Sequence, residues 1–232
     1  MIGLLAPMKV EMRPLVKGLS LTSSDVGGRT TWAGAVDGED VVATLAGVGM
    51  TPATEATEYL IERFTPSLVV LSGIAGGIDA GLSVGDLVVP EVVIDYATGT
   101  EYRSTAVGAT AITGRLITTD GLIDQPLLLE ENKKGVIAVD METAAMAAVC
   151  EGRGVPWLAF RGISDLTHEG LVNDDTLTLV NTDGSADVMR ALKLVARQPS
   201  VIPKLIKLGK DTALATNVAA KAAIAACRAW AG

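Results

Sequence analysis

Short apolar runs alternate with segments of helical periodicity along most of this chain, and that alternation limits the folds open to it. Residues 2–6 and 68–71 are apolar runs of strand length, and Ala53, Ala56, Leu60 and Phe64 recur between them at helical spacing. Further apolar runs follow at residues 87–94, 136–139 and 155–160. Strands separated by helices pair mostly in parallel and need helices on both faces of their sheet. We therefore expect an α/β fold, with helices flanking a central sheet.

Turn signals add detail to this prediction. Asp37-Gly38 separates two mostly apolar runs, residues 31–36 and 41–45, which is typical of a β-hairpin, so we expect a mixed sheet. Thr51-Pro52 resembles an N-cap followed by proline at the first helical position. Residues 98–109 are polar and small, which predicts a loop.

Length and composition favour one domain. The chain has 232 residues, of which 49% are hydrophobic, enough for one sizeable core. No apolar run approaches the roughly 20 residues that span a bilayer, and no signal-peptide pattern opens the chain. Cys150 and Cys227 lack motif spacing, so we expect free thiols in a reducing compartment and a cytoplasmic protein.

Charge is distributed unevenly along the chain. Residues 189–232 hold eight of the 19 basic residues but one of the 27 acidic residues. The net charge of -8 and the acidic body argue against a nucleic-acid partner. We predict an α/β region over residues 1–188 and a basic helical extension of the same domain over residues 189–232, docked on the acidic body or on a second subunit. Peripheral contact of this tail with an anionic membrane is the alternative.

The stretch from residue 138 to residue 169 carries the strongest chemical signal. Residues 141–150 are rich in Ala and Met, which favour a helix, and Gly152 and Gly154 suit a helix C-terminus. The apolar run 155–160 predicts a buried strand that ends before Asp165. A carboxylate just beyond such a strand lies where open α/β sheets bind ligands. Glu142 lies in the first turn of the preceding helix, so the two acids are predicted to face one pocket.

Four short blocks of this sequence occur in the order and spacing of a known family. Residues 2–11 resemble its first strand and G-A-M-x-x-E loop, and residues 71–77 with 84–89 resemble its glycine loop and V-G-D-x-V-V strand. Residues 139–143 resemble its V-E-M-E-A helix start, and residues 161–165 resemble its R-x-I-S-D strand end. Together they resemble the purine nucleosidase and nucleoside phosphorylase family, over residues from about 2 to about 180.

The resemblance implies cleavage of the N-glycosidic bond of a small-molecule purine nucleoside, of the 5′-modified adenine type such as methylthioadenosine or S-adenosylhomocysteine. Such a reaction needs a donor for the leaving base and groups that grip the sugar. By resemblance, Asp165 protonates the purine at N7 and Ser164 orients it, while Glu142 binds the ribose hydroxyls and Met141 packs on the sugar. Without the resemblance, the alternative for Asp165 is a capping aspartate, and the alternative for Glu142 is an acid that stabilises a helix N-terminus.

Two further segments indicate whether water or phosphate is the nucleophile. By resemblance, Glu11 activates the attacking water, and Met8 precedes it in the same loop. The G-D-P-x-R phosphate grip of family phosphorylases is missing from this region. Ile74, Ala75 and Gly76 are the implied ligand contacts of the glycine loop, where Ile74 stands in place of a Ser or Thr that supports phosphate binding. Both departures favour hydrolysis over phosphorolysis, which would take phosphate as co-substrate.

Other departures bear on the substrate. Asp140 stands where the family usually has glutamate. Leu122 stands where an aromatic residue usually stacks on the base, although the main chain of Ile123 is still implied to read the purine edge. The region between residues 96 and 112 is shorter than in the family, where it contributes to the 5′ pocket and to a homodimer.

The resemblance implies neither a metal nor an organic cofactor. The single histidine, His168, rules out a multi-histidine metal site, and a solvated loop position is the favoured interpretation of it. Two alternatives to a nucleosidase stay open, a phosphate-dependent phosphorylase and a non-catalytic nucleoside-binding or membrane-associated relative.

Overall fold

The computed structural model describes residues 1–106, 114–167 and 202–232, and an eleven-stranded mixed sheet runs through them. The strands are β1 (Ile2–Ala6), β2 (Thr22–Val26), β3 (Arg29–Val36), β4 (Glu39–Leu45), β5 (Leu68–Gly77), β6 (Leu87–Val88), β7 (Val92–Asp95), β8 (Glu101–Arg103), β9 (Arg115–Thr118), β10 (Val136–Asp140) and β11 (Trp157–Leu166). The helices are α1 (Lys9–Gly18), α2 (Met50–Phe64), α3 (Gln125–Lys133), α4 (Thr143–Arg153) and α5 (Ile202–Ala231). The predicted α/β class with a mixed central sheet is confirmed.

Strand β5 is the centre of the sheet. Its first half pairs in parallel with β1, its last two residues pair antiparallel with β10, and β11 runs parallel to it along the other edge. The glycine segment Gly73–Gly77 is therefore part of a strand and not a loop, because β11 and β10 both hydrogen-bond to it. Beyond β1 the strand order continues through β4 and β3 to β2, and beyond β10 it continues through β9 and β7 to β8.

The core lies on both faces of this sheet. Successive strand residues point to opposite faces, so Leu5 packs in the cluster under α2 and α4, and Leu4 packs in the cluster under α1 and α5. Helix α5 contributes Ala219, Ala223 and Cys227 to the second cluster, and all three are buried. The predicted docking of the basic tail on the body holds for α5, while the boundary at residue 189 lies outside the described residues. Within the described ranges, no helix has the length and apolar composition needed to cross a membrane.

Of the two predictions made from local turn and cap residues, one was right. The hairpin is confirmed, since Asp37 and Gly38 both have positive φ (48° and 89°), as the favoured two-residue turn requires. The N-cap of α2 is Gly49 and not Thr51, because carboxylates from elsewhere in the fold accept the first N–H groups of this helix.

Two predictions between residues 87 and 109 were wrong. The single strand predicted over residues 87–94 is two strands, β6 and β7, that pair with different neighbours. The predicted loop 98–109 contains β8, which pairs antiparallel with β7. Residues 107–109 lie outside the described part of the chain.

Candidate active site

Three elements bring charged side chains to the second half of β5, namely the start of α1, the junction of β10 and α4, and β11. The N-terminus of α2 adds a backbone N–H donor. Glu11, Asp140, Glu142 and Arg161 are all buried there, at 5% exposure or less. Charged residues are rarely buried to this degree unless they are paired, and these four are paired with one another.

Arg161 is at the centre of the group. It is fully buried on β11, and its Nη2 atom lies 2.5 Å from Oδ2 of Asp140 and 3.1 Å from Oε2 of Glu142. Its Nη1 atom donates to the carbonyl oxygen of Ile74 at 3.3 Å. Burial alone lowers the pKa of Arg161, but the neighbouring carboxylates of Asp140, Glu142 and Glu11 raise it above its ordinary value. The guanidinium is therefore a permanent cation that neutralises part of the carboxylate charge.

Glu142 is the N-cap residue of α4, one position before the predicted first turn. Its Oε1 atom accepts the backbone N–H of Gly49 at 3.1 Å, and its Oε2 atom accepts from Arg161. Burial raises the pKa of Glu142 above its ordinary value, opposed by Arg161 and reinforced by Asp140. The carboxylate is thus fixed between the N-terminus of α2 and the middle of β11, and it is held by donors on both sides.

Glu11 occupies the third position of α1 and turns back to its start. Its Oε2 atom accepts the N–H of Met8 at 2.7 Å, and its Oε1 atom accepts the N–H of Ile74 at 2.8 Å. Burial raises the pKa of Glu11 to about 8, although Arg161 lowers it. A carboxyl group that loses its proton near neutral pH has the acidity expected of a general base.

Gly73 explains how these groups approach β5 so closely. A Cβ atom at this position would lie 2.7 Å from Oε1 of Glu11 and 3.1 Å from Cδ of Pro7, and it would also collide with Nη1 of Arg161. Such contacts are too short for a side chain, so only glycine leaves room for both charged groups.

Asp165 and Ser164 lie farther along the same pair of strands. Asp165 is opposite Gly76, after a register shift in the pairing of β11 with β5. The strand continues to Leu166, so Asp165 lies inside β11 and not beyond its end as predicted. The hydroxyl of Ser164 donates to Oδ1 of Asp165 at 2.7 Å, and Ser164 is buried.

The spacing along β5 separates two groups of side chains. Arg161 lies opposite Gly73 and Asp165 opposite Gly76, three residues farther along. At about 3.3 Å per residue, this separates them by roughly 10 Å. That distance is comparable with the span from the sugar to the far edge of the base in a nucleoside.

The other residues predicted to contact the substrate lie at different distances from the charged group. Ile74, Ala75 and Gly76 form the part of β5 between these two groups. Met8 and Met141 are partly exposed at the start of α1 and just before α4. Ile123 packs against a small cluster beside β9, whereas Leu122 is 46% exposed. His168 lies outside the described residues.

Sequence reasoning gave no role to the residue that organises the site. Arg161 was part of a recognised motif, and it is the one charged residue between the apolar runs of residues 157–160 and 162–163. A charge in the middle of a buried strand requires partners, and that signal identifies it. Among the residues described, no cluster of histidine, cysteine or acidic side chains is placed to hold a metal ion.

Comparison with known proteins finds a family match over most of this chain. The family model described as the phosphorylase superfamily matches residues 1–110 and 100–197. A 5′-methylthioadenosine/S-adenosylhomocysteine nucleosidase from Shewanella baltica is 29% identical over 233 residues, covering 87% of this chain and 99% of that protein.

Solved structures share the fold. The 5′-methylthioadenosine/S-adenosylhomocysteine nucleosidase from S. pneumoniae, with a transition-state inhibitor, has a TM-score of 0.73 at 20% identity and covers 99% of each chain. Futalosine hydrolase of Helicobacter pylori has a TM-score of 0.68 at 19% identity, over 95% of this chain and 94% of that one.

Proposed function

The chain belongs to the phosphorylase superfamily, and on that premise we propose that it is a nucleosidase, which hydrolyses the N-glycosidic bond of a purine nucleoside. The substrate class is a 5′-modified adenine nucleoside, in line with the names of its relatives. The observation that carries the proposal is Glu11, a buried carboxyl group with a pKa of about 8 beside Glu142 and Arg161. Such a group is suited to take a proton from an attacking water near neutral pH.

The charge of the site favours water over phosphate as the nucleophile. Among the described residues of the site, Arg161 is the one cation, and it is already paired with the carboxyl groups of Asp140 and Glu142, so no positive charge is left over for a phosphate dianion. The ionised carboxylate of Asp140 beside Arg161 would repel a phosphate dianion brought to this place. Ile74 also has no side-chain donor to offer it. These features support hydrolysis.

Each of the remaining groups has a place in the reaction. As the bond breaks, positive charge develops on the ribose and negative charge on the base. Asp165, held by Ser164, donates to the departing base. Glu142 accepts hydrogen bonds from the ribose hydroxyls, with Met141 against the sugar. Leu122 and Ile123 line the base side, and Met8 the side of Glu11.

The first test is release of free base from a panel of nucleosides, with and without phosphate. The panel holds methylthioadenosine, S-adenosylhomocysteine, 5′-deoxyadenosine, adenosine, inosine and futalosine. We expect release without phosphate, from the 5′-modified adenine nucleosides first. If release requires phosphate, the protein is a phosphorylase and not a hydrolase. If no nucleoside of the panel releases its base, the proposal is contradicted.

Asp165→Asn tests the acid. The change keeps the shape of the side chain but removes the proton it donates, so we expect kcat to fall by at least about 10² with the fold intact. Asp25→Asn is the matched control, since Asp25 accepts the N–H of Gly28 in a turn at the edge of the sheet. Near-normal kcat in Asp165→Asn would remove Asp165 from the mechanism.

We further propose that the enzyme is a homodimer. Three leucines in and just before α3 are exposed to 46–48%, namely Leu122, Leu127 and Leu129. We propose this short segment, with its three exposed leucines, as part of the contact between the two copies. Sedimentation should give twice the chain mass of 23.9 kDa, and Leu127→Asp with Leu129→Asp should give the monomer. A wild-type monomer at micromolar concentration would contradict the proposal.

A further inference from the structure

Asp140 lies behind Arg161 and is enclosed by donors. Its Oδ1 atom accepts from the hydroxyl of Thr118 at 2.6 Å. Its Oδ2 atom accepts from the hydroxyl of Thr143 and from the N–H of Thr143 at 3.3 Å, and it forms an ion pair with Nη2 of Arg161 at 2.5 Å. Asp140 is 5% exposed. Its Oδ1 atom also accepts from the N–H of Thr143 at 3.4 Å, so each oxygen of Asp140 contacts at least two protein donors, whereas each oxygen of Glu142 contacts one among the described residues. Asp140 therefore has no free acceptor to offer a ribose hydroxyl.

The hydroxyl of Thr143 joins Asp140 to Arg161. A hydroxyl has one proton to donate and two lone pairs to accept with. Here the proton goes to Asp140, and the lone pairs accept from Nε of Arg161 at 3.1 Å and Nη2 at 3.0 Å. Thr143 is fully buried, and this arrangement uses its whole hydrogen-bonding capacity.

These contacts set the plane of the guanidinium. Thr143 holds Nε, and Thr143 and Asp140 hold one side of Nη2. The remaining N–H groups point to Glu142 and to the carbonyl oxygen of Ile74. Ile74 in turn donates its N–H to Glu11. The orientation of Arg161 is thus coupled to both carboxylates that the proposed reaction uses.

We propose that Asp140 and Thr143 are a coupled pair of positioning residues, which hold Arg161 against Glu142 without touching the substrate. The inference rests on the proposed function for its kinetic test. The two residues also depart together from the V-E-M-E-A pattern, in which glutamate and alanine take their places. An acid shorter by one methylene reaches less far, and the added hydroxyl of Thr143 closes the gap to Arg161.

The main test is a double-mutant cycle on base release. Thr143→Ala removes the bridging hydroxyl, and Asp140→Glu adds a methylene where Thr118 and Thr143 leave no room, so each should lower kcat/KM by at least about tenfold. The double variant recreates the pattern of the family and should recover to within about threefold of the wild type. A double variant as poor as the product of the two single losses would overturn the proposal.

Two further variants separate positioning from packing. Thr143→Ser keeps the hydroxyl and should stay within about threefold of the wild-type kcat/KM, whereas a loss equal to that of Thr143→Ala would contradict the bridge. Thr57→Ala is the matched control, because Thr57 is a fully buried threonine of α2 whose hydroxyl donates to Ala53 at 2.6 Å. Its kcat/KM should be unchanged.

A readout that needs no substrate separates this inference from the proposed function. The ionisation of Glu142 can be followed by carboxyl ¹³C NMR in the free protein. The charged groups around it in the described residues are Asp140 from β10, Glu11 from α1 and Arg161 from β11. Loosening Arg161 weakens the attraction that favours the charged form of Glu142.

In Thr143→Ala the titration of Glu142 should therefore move up by at least about half a pH unit, while Thr57→Ala leaves it in place. An unchanged midpoint would overturn the positioning pair even in an active enzyme. A wild type that releases no base from the panel would overturn the proposed function alone.

Discussion

At the scale of single residues, the candidate site is a concentration of buried charge. Three carboxyl groups and one guanidinium share a space where each is almost completely removed from water. Burial of charge destabilises a fold unless partners compensate for the lost hydration. The compensation is only partial here, since the pKa values of Glu11 and Glu142 both lie above their ordinary range. Residues that reduce stability in this way are typical of catalytic sites.

Glu11→Gln should reveal that loss of stability. Between its ordinary pKa of 4.5 and its folded value of about 8, Glu11 keeps in the folded state a proton that the unfolded chain has released. The folded state then binds more protons, so the free energy of unfolding falls as the pH rises through this window. Glutamine cannot ionise, so the variant lacks this loss.

The measurement is Tm at pH 5 and pH 8. We expect the Tm of Glu11→Gln, relative to wild type, to rise between the two pH values by about 5 °C or more, corresponding to roughly 2 kcal/mol. Glu58→Gln, at an exposed position of α2, is the control and should show a constant difference. A constant difference in Glu11→Gln would mean that Glu11 is ionised in the folded protein already at pH 5.

At the scale of elements, β11 carries two residues of the candidate site and also packs against helix α5. One strand carries Arg161 and Asp165, and the shift in its pairing with β5 falls between Ile163 and Asp165. Helix α5 packs directly on this strand at Gly162, where the backbone of Ala215 fills the place of a side chain. The close approach of helix and strand therefore depends on one glycine between the two functional positions.

Gly162→Ala should separate α5 from β11. A Cβ atom there would lie 2.8 Å from Cα of Ala215, and a helix backbone cannot yield as a flexible side chain does. Overpacking of this kind costs about 1–3 kcal/mol, so Tm should fall by at least about 3 °C.

Gly209→Ala is the matched control, because nothing lies within 4 Å of the added Cβ atom. Alanine favours a helix over glycine by about 0.5–1 kcal/mol, so this variant should raise Tm slightly. A Gly162→Ala protein as stable as wild type would show that α5 is packed less closely than the structure indicates.

At the scale of the whole molecule, the acidic and basic parts of the sequence form different parts of the structure. The acidic part of the sequence builds the sheet, and the basic C-terminal region supplies the helix that covers one face of it. The apolar side of α5 is occupied, since Ala215, Ala219 and Ala223 are buried against the body. An amphipathic helix needs a free apolar side to enter a membrane surface, and the exposed apolar side chains among the described residues of α5, such as Ile206 and Leu214, are scattered.

We therefore expect no co-sedimentation with vesicles that contain anionic lipid, at about 0.15 M salt, where surface charges are screened beyond about 8 Å. The charge-reversal variant Lys210→Glu, on the exposed side of α5, should behave as the wild type does. Vesicle binding that this variant abolishes would favour the membrane alternative.

The sequence by itself determined the class of fold and most of the chemical groups. Apolar runs of strand length and a helical spacing of apolar residues identified many of the strands and helices, and the turn at Asp37-Gly38 follows from local backbone preference. Such features depend on neighbours in the chain, so the chain alone specifies them. The motif resemblance also selected Glu11, Glu142 and Asp165, and their assigned roles stay predictions.

Only the tertiary structure decided how those groups are held. The importance of Arg161 depends on Asp140, Thr143 and Glu142, which reach it from other strands and helices. The start of α2 moved from Thr51 to Gly49 because Glu142 and Asp120 accept its first N–H groups. The glycine segment became a strand because β10 and β11 hydrogen-bond to it. Contacts between residues far apart in sequence leave no local pattern, so they become visible only when the sheet has brought them together.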